Sequence, residues 1–277
     1  MKTVKLFGVN LTHGCDLPGG EHAMDVLSQN IHFDHRFDVD ASKLKDQKPL
    51  YLDAIVDINV RLKTSIQNDM SPSIFPLVIG GDHALAIGSI AAHAREDLAV
   101  LWMDAHGDCN TDLSSITQRI HGMPLAALMG YGHHDLTSLV DVKIKPQNVC
   151  LFGIRDLDEE EERLMRTWGV RIITMHEIRE MGMDALLTQL KNFIDQCPKF
   201  HLSYDNDSMD TDFIKGVNTP VPGGFTQEEA SQVLNFLIQQ RTLNSMDIVE
   251  FNPVKDDGAT QAWVLKWVQT IKTIKEV

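Results

Sequence analysis

Three short segments of this 277-residue chain concentrate side chains that bind cations. Asp104, His106 and Asp108 stand at i, i+2 and i+4, Asp205 and Asp207 repeat the spacing, and His83 ends the run Gly80-Gly81-Asp82-His83. Alternate residues of an extended backbone share a face. The spacing therefore predicts two carboxylates and an imidazole pointing one way at one place, and two carboxylates at another. Such a face suits a divalent ion better than a core. Oxygen-rich ligation with some imidazole and no thiolate matches Mn²⁺ and argues against structural zinc. Four carboxylates at one point would repel and hold protons. Two divalent ions would cancel four negative charges, and a water shared between them would ionise near neutral pH and become a nucleophile. One histidine or one Asp-X-Asp alone is commonplace, so the reading rests on the combination.

These clusters need a frame that brings them together. Short apolar runs predict strands at Val4–Val9, Phe75–Ile79, Leu98–Met103, Val149–Phe152, Val170–Thr174, Phe200–Tyr204 and Asp247–Phe251. Longer amphipathic runs predict helices at Leu52–Asn68, Leu85–Ala94, Pro124–Met129, Glu159–Thr167, Asp184–Gln196, Gln227–Gln239 and Ala259–Ile271. Near-continuous apolarity in several strands is the mark of a sheet covered on both faces. The alternation predicts an α/β fold in which helices flank a mainly parallel sheet, as one domain over residues 1–277. The segment Asp34–Lys48 reads as a loop. Each polar cluster follows a strand, and Glu250-Phe251-Asn252-Pro253 closes the last one. Ligands of open α/β sheets bind at the carboxyl ends of the strands, so four clusters can meet in one cleft.

Composition narrows the classes. Hydrophobic residues make up 43% and charged ones 23%, which excludes a disordered chain. Lys+Arg is 25 against Asp+Glu 39, a formal net charge of −14, so binding to nucleic acid is not expected. An acidic surface is ordinary for a cytosolic protein and also compatible with a cationic small molecule or a metal ion. No apolar run is long enough for a membrane helix. The opening MKTVKLFGVN reads as a strand, not a signal peptide. Cys15, Cys109, Cys150 and Cys197 form no paired motif and read as reduced thiols, so the expected location is cytoplasmic.

The motifs Gly80-Gly81-Asp82-His83, Asp104-Ala105-His106-Gly107-Asp108, His121-Gly122-Met123-Pro124, Ser203-Tyr204-Asp205-Asn206-Asp207 and Glu250-Phe251-Asn252-Pro253 resemble, in order and spacing, those of the ureohydrolase family, the manganese hydrolases that include arginase and agmatinase. The resemblance implies a three-layer α/β/α fold, two Mn²⁺ ions (with Co²⁺ or another divalent ion as the alternative), and hydrolysis of a guanidinium group to urea by a metal-bridging hydroxide. It implies one ion on His83, Asp104, Asp108 and Asp205, and the other on His106, Asp104, Asp205 and Asp207. Asp108 would also orient the hydroxide, Glu250 would pair with the substrate guanidinium, and His121 would carry a proton to the leaving amine. A histidine titrating near neutrality needs no large shift for that task.

The loop from Asp108 to His121 is similar to that of arginases, which implies L-arginine as substrate and L-ornithine and urea as products. Its Asn110, Ser115 and Thr117 match positions that hold the α-carboxylate and α-amino group. Asp158 would meet the α-ammonium and Thr219 the guanidinium end. Arg119 stands where arginases usually carry Asn. A cation there would grip a carboxylate, and it leaves open a guanidino acid such as 4-guanidinobutyrate. Agmatine, which lacks the carboxylate, fits less well. Asn206 replaces a small apolar residue, Ala84 replaces Ser, and the Pro that commonly follows the third Asp is missing. From outside the class, the competing readings are a non-catalytic regulatory member of the fold and a binuclear metal phosphohydrolase, against which stands the lack of a basic cluster to clamp phosphate. The partner expected is a small guanidino molecule, and the family implies a homo-oligomer, a trimer or hexamer.

Overall fold

The computed structural model describes residues 2–276. Eight strands form one sheet: β1 (Thr3–Asn10), β2 (His35–Asp38), β3 (Ile74–Gly80), β4 (Leu98–Met103), β5 (Val149–Ile154), β6 (Arg171–Thr174), β7 (Lys199–Asp205) and β8 (Leu243–Val249). Their order is β2-β1-β3-β8-β7-β4-β5-β6, and every neighbouring pair is parallel. Ten α-helices accompany them among the described residues: α1 (Ala23–Leu27), α2 (Leu52–Asp69), α3 (Ala86–Ala91), α4 (Pro124–Met129), α5 (His134–Thr137), α6 (Glu159–Trp168), α7 (Met175–Met181), α8 (Met183–Ile194), α9 (Gln227–Ile238) and α10 (Ala259–Glu276).

Alternation along the strands divides the core into two layers. Leu77, Leu101, Phe152, Leu202 and Ile248 face residues of α1 and α7–α10. Val78, Val100, Trp102, Leu151 and Val249 face α2–α6. Helices thus cover both faces, as the apolar strands require. The three-layer α/β/α architecture is the one expected from the sequence.

The motif-bearing strands β3, β4, β7 and β8 are not consecutive in the chain, yet they lie side by side as β3-β8-β7-β4. Ile79 pairs with Ile248, Ile248 with Tyr204, and Tyr204 with Met103. This row ends just below the four polar clusters, so the strand order itself brings them to one point.

Several elements differ from expectation. The segment read as a loop holds β2, a four-residue edge strand with alternating exposure and only Phe37 as an apolar residue. Such an edge carries little apolar signal. The last strand lies earlier than predicted and stops at Val249, because Glu250 has φ 58° and turns the chain out of the sheet. Its buried Asn244, Ser245 and Asp247 disguised the first half. The helix expected over Leu85–Ala94 is a single 3₁₀ turn, His83–Leu85, followed by the six-residue α3. The short helices α1, α5 and α7 were not anticipated.

Candidate metal centre and substrate cleft

Alternation along a strand does not explain how the aspartates converge. β4 stops at Met103 and β7 at Asp205, so residues 104–108 and 206–208 lie beyond the ladders. The expectation of one extended face is replaced by a turn used three times. Asp104 Oδ1 accepts from His106 N at 2.7 Å, Asp205 Oδ1 from Asp207 N at 2.7 Å, and Asp82 Oδ1 from Ala84 N at 2.9 Å. Each Asp ties the residue two positions on, as short acidic side chains do at turns. Asp108 and Glu250 hold φ of 48° and 58°, strained for non-glycine residues.

Two groups of side chains result. His83, Asp104, Asp108 and Asp205 offer ligand atoms within 4.8 Å of one another, as do Asp104, His106 and Asp207. Asp104 belongs to both groups and Asp205 only to the first. His83 Nδ1 lies 3.2 Å from Asp104 Oδ2 and 2.9 Å from both Asp108 Oδ2 and Asp205 Oδ2. Its other nitrogen, Nε2, meets Ser203 Oγ at 2.8 Å, and its ring stacks on Trp102 at 4.1 Å between centroids. With Nε2–H donating to Ser203, the Nδ1 lone pair faces the carboxylates, the tautomer a metal ion needs. Trp102 Nε1 donates to Asp104 Oδ2 at 2.9 Å, and His106 Nδ1 lies 3.1 Å from Asp207 Oδ2.

The charges are unbalanced. Burial, then the Asp104 charge, pushes Asp108 up to about 7. Burial, then Asp207 and Asp104, holds Asp205 well above the usual carboxylate range. The His83 imidazole is held well above its usual value, because the carboxylates at Asp104, Asp108 and Asp205 outweigh its burial. Left to itself the cluster would hold protons, and divalent cations are the other way to neutralise it. The hard oxygen and imidazole donors fit such ions.

Above the cluster opens a cleft of about 280 Å³ lined by His106, Asp108, His121, Asn110, Ser115, Thr117, Arg119, Asp156, Asp158 and Glu161, with Ile116 and Gly122. Asn110 Nδ2 donates to Asp158 Oδ2 at 3.1 Å, and Asn110 Oδ1 accepts from Ser114 Oγ at 2.9 Å. Gln118 N donates to Ser115 Oγ, and the Gln118 side chain holds the carbonyls of Asp112 and Ser115, so the loop is organised before anything binds. Thr219 and Glu250 are not on the lining. Thr219 Oγ1 donates to Asp207 Oδ2 at 3.1 Å. Glu250 is 1% exposed, its Oε1 accepts from His83 N at 3.0 Å, and its Oε2 has no partner. Burial, then Asp205, Asp82 and Asp207, holds its carboxyl well above the ordinary range.

His121 corrects one expectation. It does not titrate near neutrality here: burial, then the positive His106 and Arg119, hold it down at about 3. Its Nδ1 lies 3.9 Å from Glu250 Oε1. Two acidic cleft residues were missed, Asp156 and Glu161. Asp156 follows Arg155, whose half-buried guanidinium binds the carbonyls of Asp207 and Val221 at 2.7 Å and so pins the Asp207 turn. Glu161 hides in the run Glu159–Glu162 at the start of α6, where acidic residues are ordinary. It alone of the four shares the buried helix face of Met165, a signal that helical periodicity contains. It accepts from Cys109 N at 2.8 Å, and burial lifts it to about 8.

A three-layer α/β fold with paired His/Asp groups beneath a cleft at the strand ends defines a class of metal-dependent hydrolase, and the comparisons specify the class. The family model described as "Arginase family" matches residues 3–272. The arginase of Bacillus caldovelox is 40% identical over 217 residues, covering 76% of this chain and 73% of that protein. Its crystal structure superposes with a TM-score of 0.89 at 34% identity, over 98% of each chain. The arginase of Entamoeba histolytica in complex with L-ornithine gives a TM-score of 0.87 at 27% identity, over 98% of this chain and 99% of that one. The chain belongs to the arginase family.

Proposed function

We propose that this protein is a binuclear manganese hydrolase of L-arginine, releasing L-ornithine and urea. Family membership makes it a hydrolase of the guanidino C–N bond. The observation that carries the finer reading is the pair of buried His/Asp groups sharing Asp104 beneath a cleft that holds Arg119 and Asp158 together. His83, Asp104, Asp108 and Asp205 would hold one ion; His106, Asp207 and Asp104 would hold the other, with Asp205 reaching it as a bridge. Two divalent ions would activate a water near neutral pH and stabilise the charge that develops at the guanidinium carbon. Co²⁺ or another divalent ion would suit the same donors.

The chain's own groups do the rest. Asp108 orients the water. Glu250 keeps Oε1 on His83 N–H and leaves Oε2, buried and unpaired, to accept from the guanidinium; a guanidinium there would satisfy an atom that is otherwise costly to bury. His121, neutral at rest, takes up a proton at Nδ1 or Nε2 as it is released and passes it to the leaving amine. At the cleft mouth Arg119, Asn110, Ser115 and Thr117 hold the α-carboxylate, Asp158 holds the α-ammonium, and Thr219 lies toward the guanidinium end. We place the chain in the cytoplasm as one domain and as a homo-oligomer, a trimer or hexamer, with no nucleic-acid or membrane partner. No helix of the described residues is long and apolar enough to cross a membrane.

One observation favours a second substrate. The Arg119 guanidinium has no hydrogen-bond or ion-pair partner among the described residues, so a guanidino acid without an α-amine, such as 4-guanidinobutyrate, would also engage it. Agmatine would leave it unpaired and bring a second positive charge beside it. Urea release from the Mn²⁺-loaded protein, compared across L-arginine, 4-guanidinobutyrate and agmatine against a chelated control, tests the reading. Turnover of L-arginine above the others is expected. Preference for another guanidine would move the substrate, and no urea from any of them, with two ions bound, would leave a regulatory member of the fold.

A further inference from the structure

Beneath the candidate metal centre, on the sheet face that carries α2–α6, the apolar alternation fails. Along β7 the side chains on this face are His201, Ser203 and Asp205; along β8 they include Ser245 and Asp247, in register with His201 and Ser203. All are buried, His201 and Asp247 completely. Burying two titratable side chains between central strands is costly unless each polar atom is satisfied. With His93 and His201 both taken as the Nε2–H tautomer, the bonds run in one sense. His93 Nε2–H reaches Ser245 Oγ at 2.6 Å, Ser245 O–H reaches His201 Nδ1 at 2.8 Å, and His201 Nε2–H reaches Asp247 Oδ2 at 3.0 Å. Ser89 O–H closes the network on Asp247 Oδ1 at 2.5 Å.

The helix that lies over this stripe is α3. It is six residues long, Ala-Ile-Gly-Ser-Ile-Ala, and wholly buried. So small a helix has little side-chain bulk with which to fix its own position. It is tied to the sheet by polar contacts along its length instead: His83 to Ser203 at its head, Ser89 to Asp247 in its middle, and His93 to Ser245 just beyond its end. From the other side Asn59 of α2 accepts from Gly88 N at 2.6 Å. His83 sits in the 3₁₀ turn that runs directly into α3, so the ties that fix α3 along the sheet also fix where His83 Nδ1 meets Asp104, Asp108 and Asp205.

We propose that Ser89, Asp247, His201 and Ser245 are positioning residues for His83, holding α3 in register with β7 and β8 so that one of the two ion sites stays assembled. The proposal rests on the reading of His83 as a ligand. None of the four touches substrate or ion, so their effect is on the affinity of the His83 site and not on the cleft.

Ser89→Ala and Ser245→Ala each delete one hydroxyl without adding bulk, and Mn²⁺ binding to the metal-free protein is followed through the paramagnetic resonance of free Mn²⁺. Each variant is expected to weaken one of two bound ions about tenfold, the lower end of what ligand-supporting hydrogen bonds are worth. The weakening should persist in a His106→Ala background, which leaves the His83 site, and vanish in a His83→Ala background. Amide exchange across residues 86–91 should quicken in both variants. Equal weakening in the two backgrounds, or unchanged affinities alongside a lowered Tm, would overturn the proposal and leave the network as core structure. A wild-type protein that binds no Mn²⁺ would overturn the metal reading, and this proposal with it.

Discussion

Among the described residues Arg119 is the one arginine or lysine on the cleft lining, beside three acidic residues of the Asp156–Glu161 segment. A guanidinium without a partner at the mouth of an acidic cleft calls for a carboxylate. It sits away from the reacting carbon, so its removal should cost binding and leave the chemistry. Arg119→Ala is expected to raise KM for L-arginine about tenfold, some 1.4 kcal/mol, with kcat within about twofold and no loss with agmatine. An unchanged KM would return Arg119 to the solvent. Asp207 is the opposite case, because it touches His106, Thr219 and Ala105 N at once. Asp207→Ala is expected to lose the ion of the His106 site and nearly all urea release; metal analysis that still finds two ions per chain would refute the ligand set. The two His/Asp groups were legible because carboxylates and imidazoles at two-residue spacing after several apolar runs have few structural uses in combination, whereas Arg119 came only from the resemblance. Glu161 was not legible, since an acidic run at a helix start has an adequate electrostatic explanation already.

At the scale of elements, legibility followed apolarity. β4 and β5 are buried throughout and β3 in all but its first residue, and their positions were read to within two residues. β2 has one apolar residue, and β8 carries Asn244, Ser245 and Asp247 in its buried interior, so the same criterion missed the first and displaced the second. Polarity inside a central strand is information that a hydrophobic pattern discards, and here it marks where α3 is held. The packing of α3 against α2 makes a separate prediction, at the close approach of Gly88 to Asn59. A Cβ on Gly88 would lie 2.5 Å from Asn59 O, a backbone atom, and 2.8 Å from Asn59 Oδ1, which could move only by giving up its bond to Gly88 N. Gly88→Ala would ordinarily favour a helix, yet it should destabilise by about 1–3 kcal/mol through overpacking. Urea unfolding of the metal-free protein measures this; a midpoint at or above the wild-type value would show that α2 and α3 can separate without cost.

At the scale of the whole molecule, the first and last described residues are joined beside the start of β1, at the end of the sheet away from the cleft. Lys2 N donates to Lys275 O at 2.7 Å and Val4 N to Glu276 Oε1 at 3.2 Å, so α10 is fastened to β1. Lys275 Nζ reaches across to the end of α9, donating to Ile238 O at 2.6 Å and Gln240 O at 3.3 Å, and stands 5.3 Å from the centre of the Phe75 ring. Burial, then the charge of Lys2, lowers its amine from 10.5 to about 8. Between those values the unfolded chain binds a proton that the folded chain does not, so this residue makes stability rise with pH across that window and contributes no slope below it. Lys275→Met removes the titration and keeps the apolar stem. The wild-type Tm should therefore gain on that of the variant by roughly 2–4 °C between pH 7 and pH 10, the shift of about 1 kcal/mol in a chain of this size. That value is set below the full shift because part of the side chain stays in water. Calorimetry of both proteins at fixed ionic strength decides it: a Tm difference independent of pH would mean that the ammonium keeps its charge against those carbonyls and that the joint between the chain ends does not titrate.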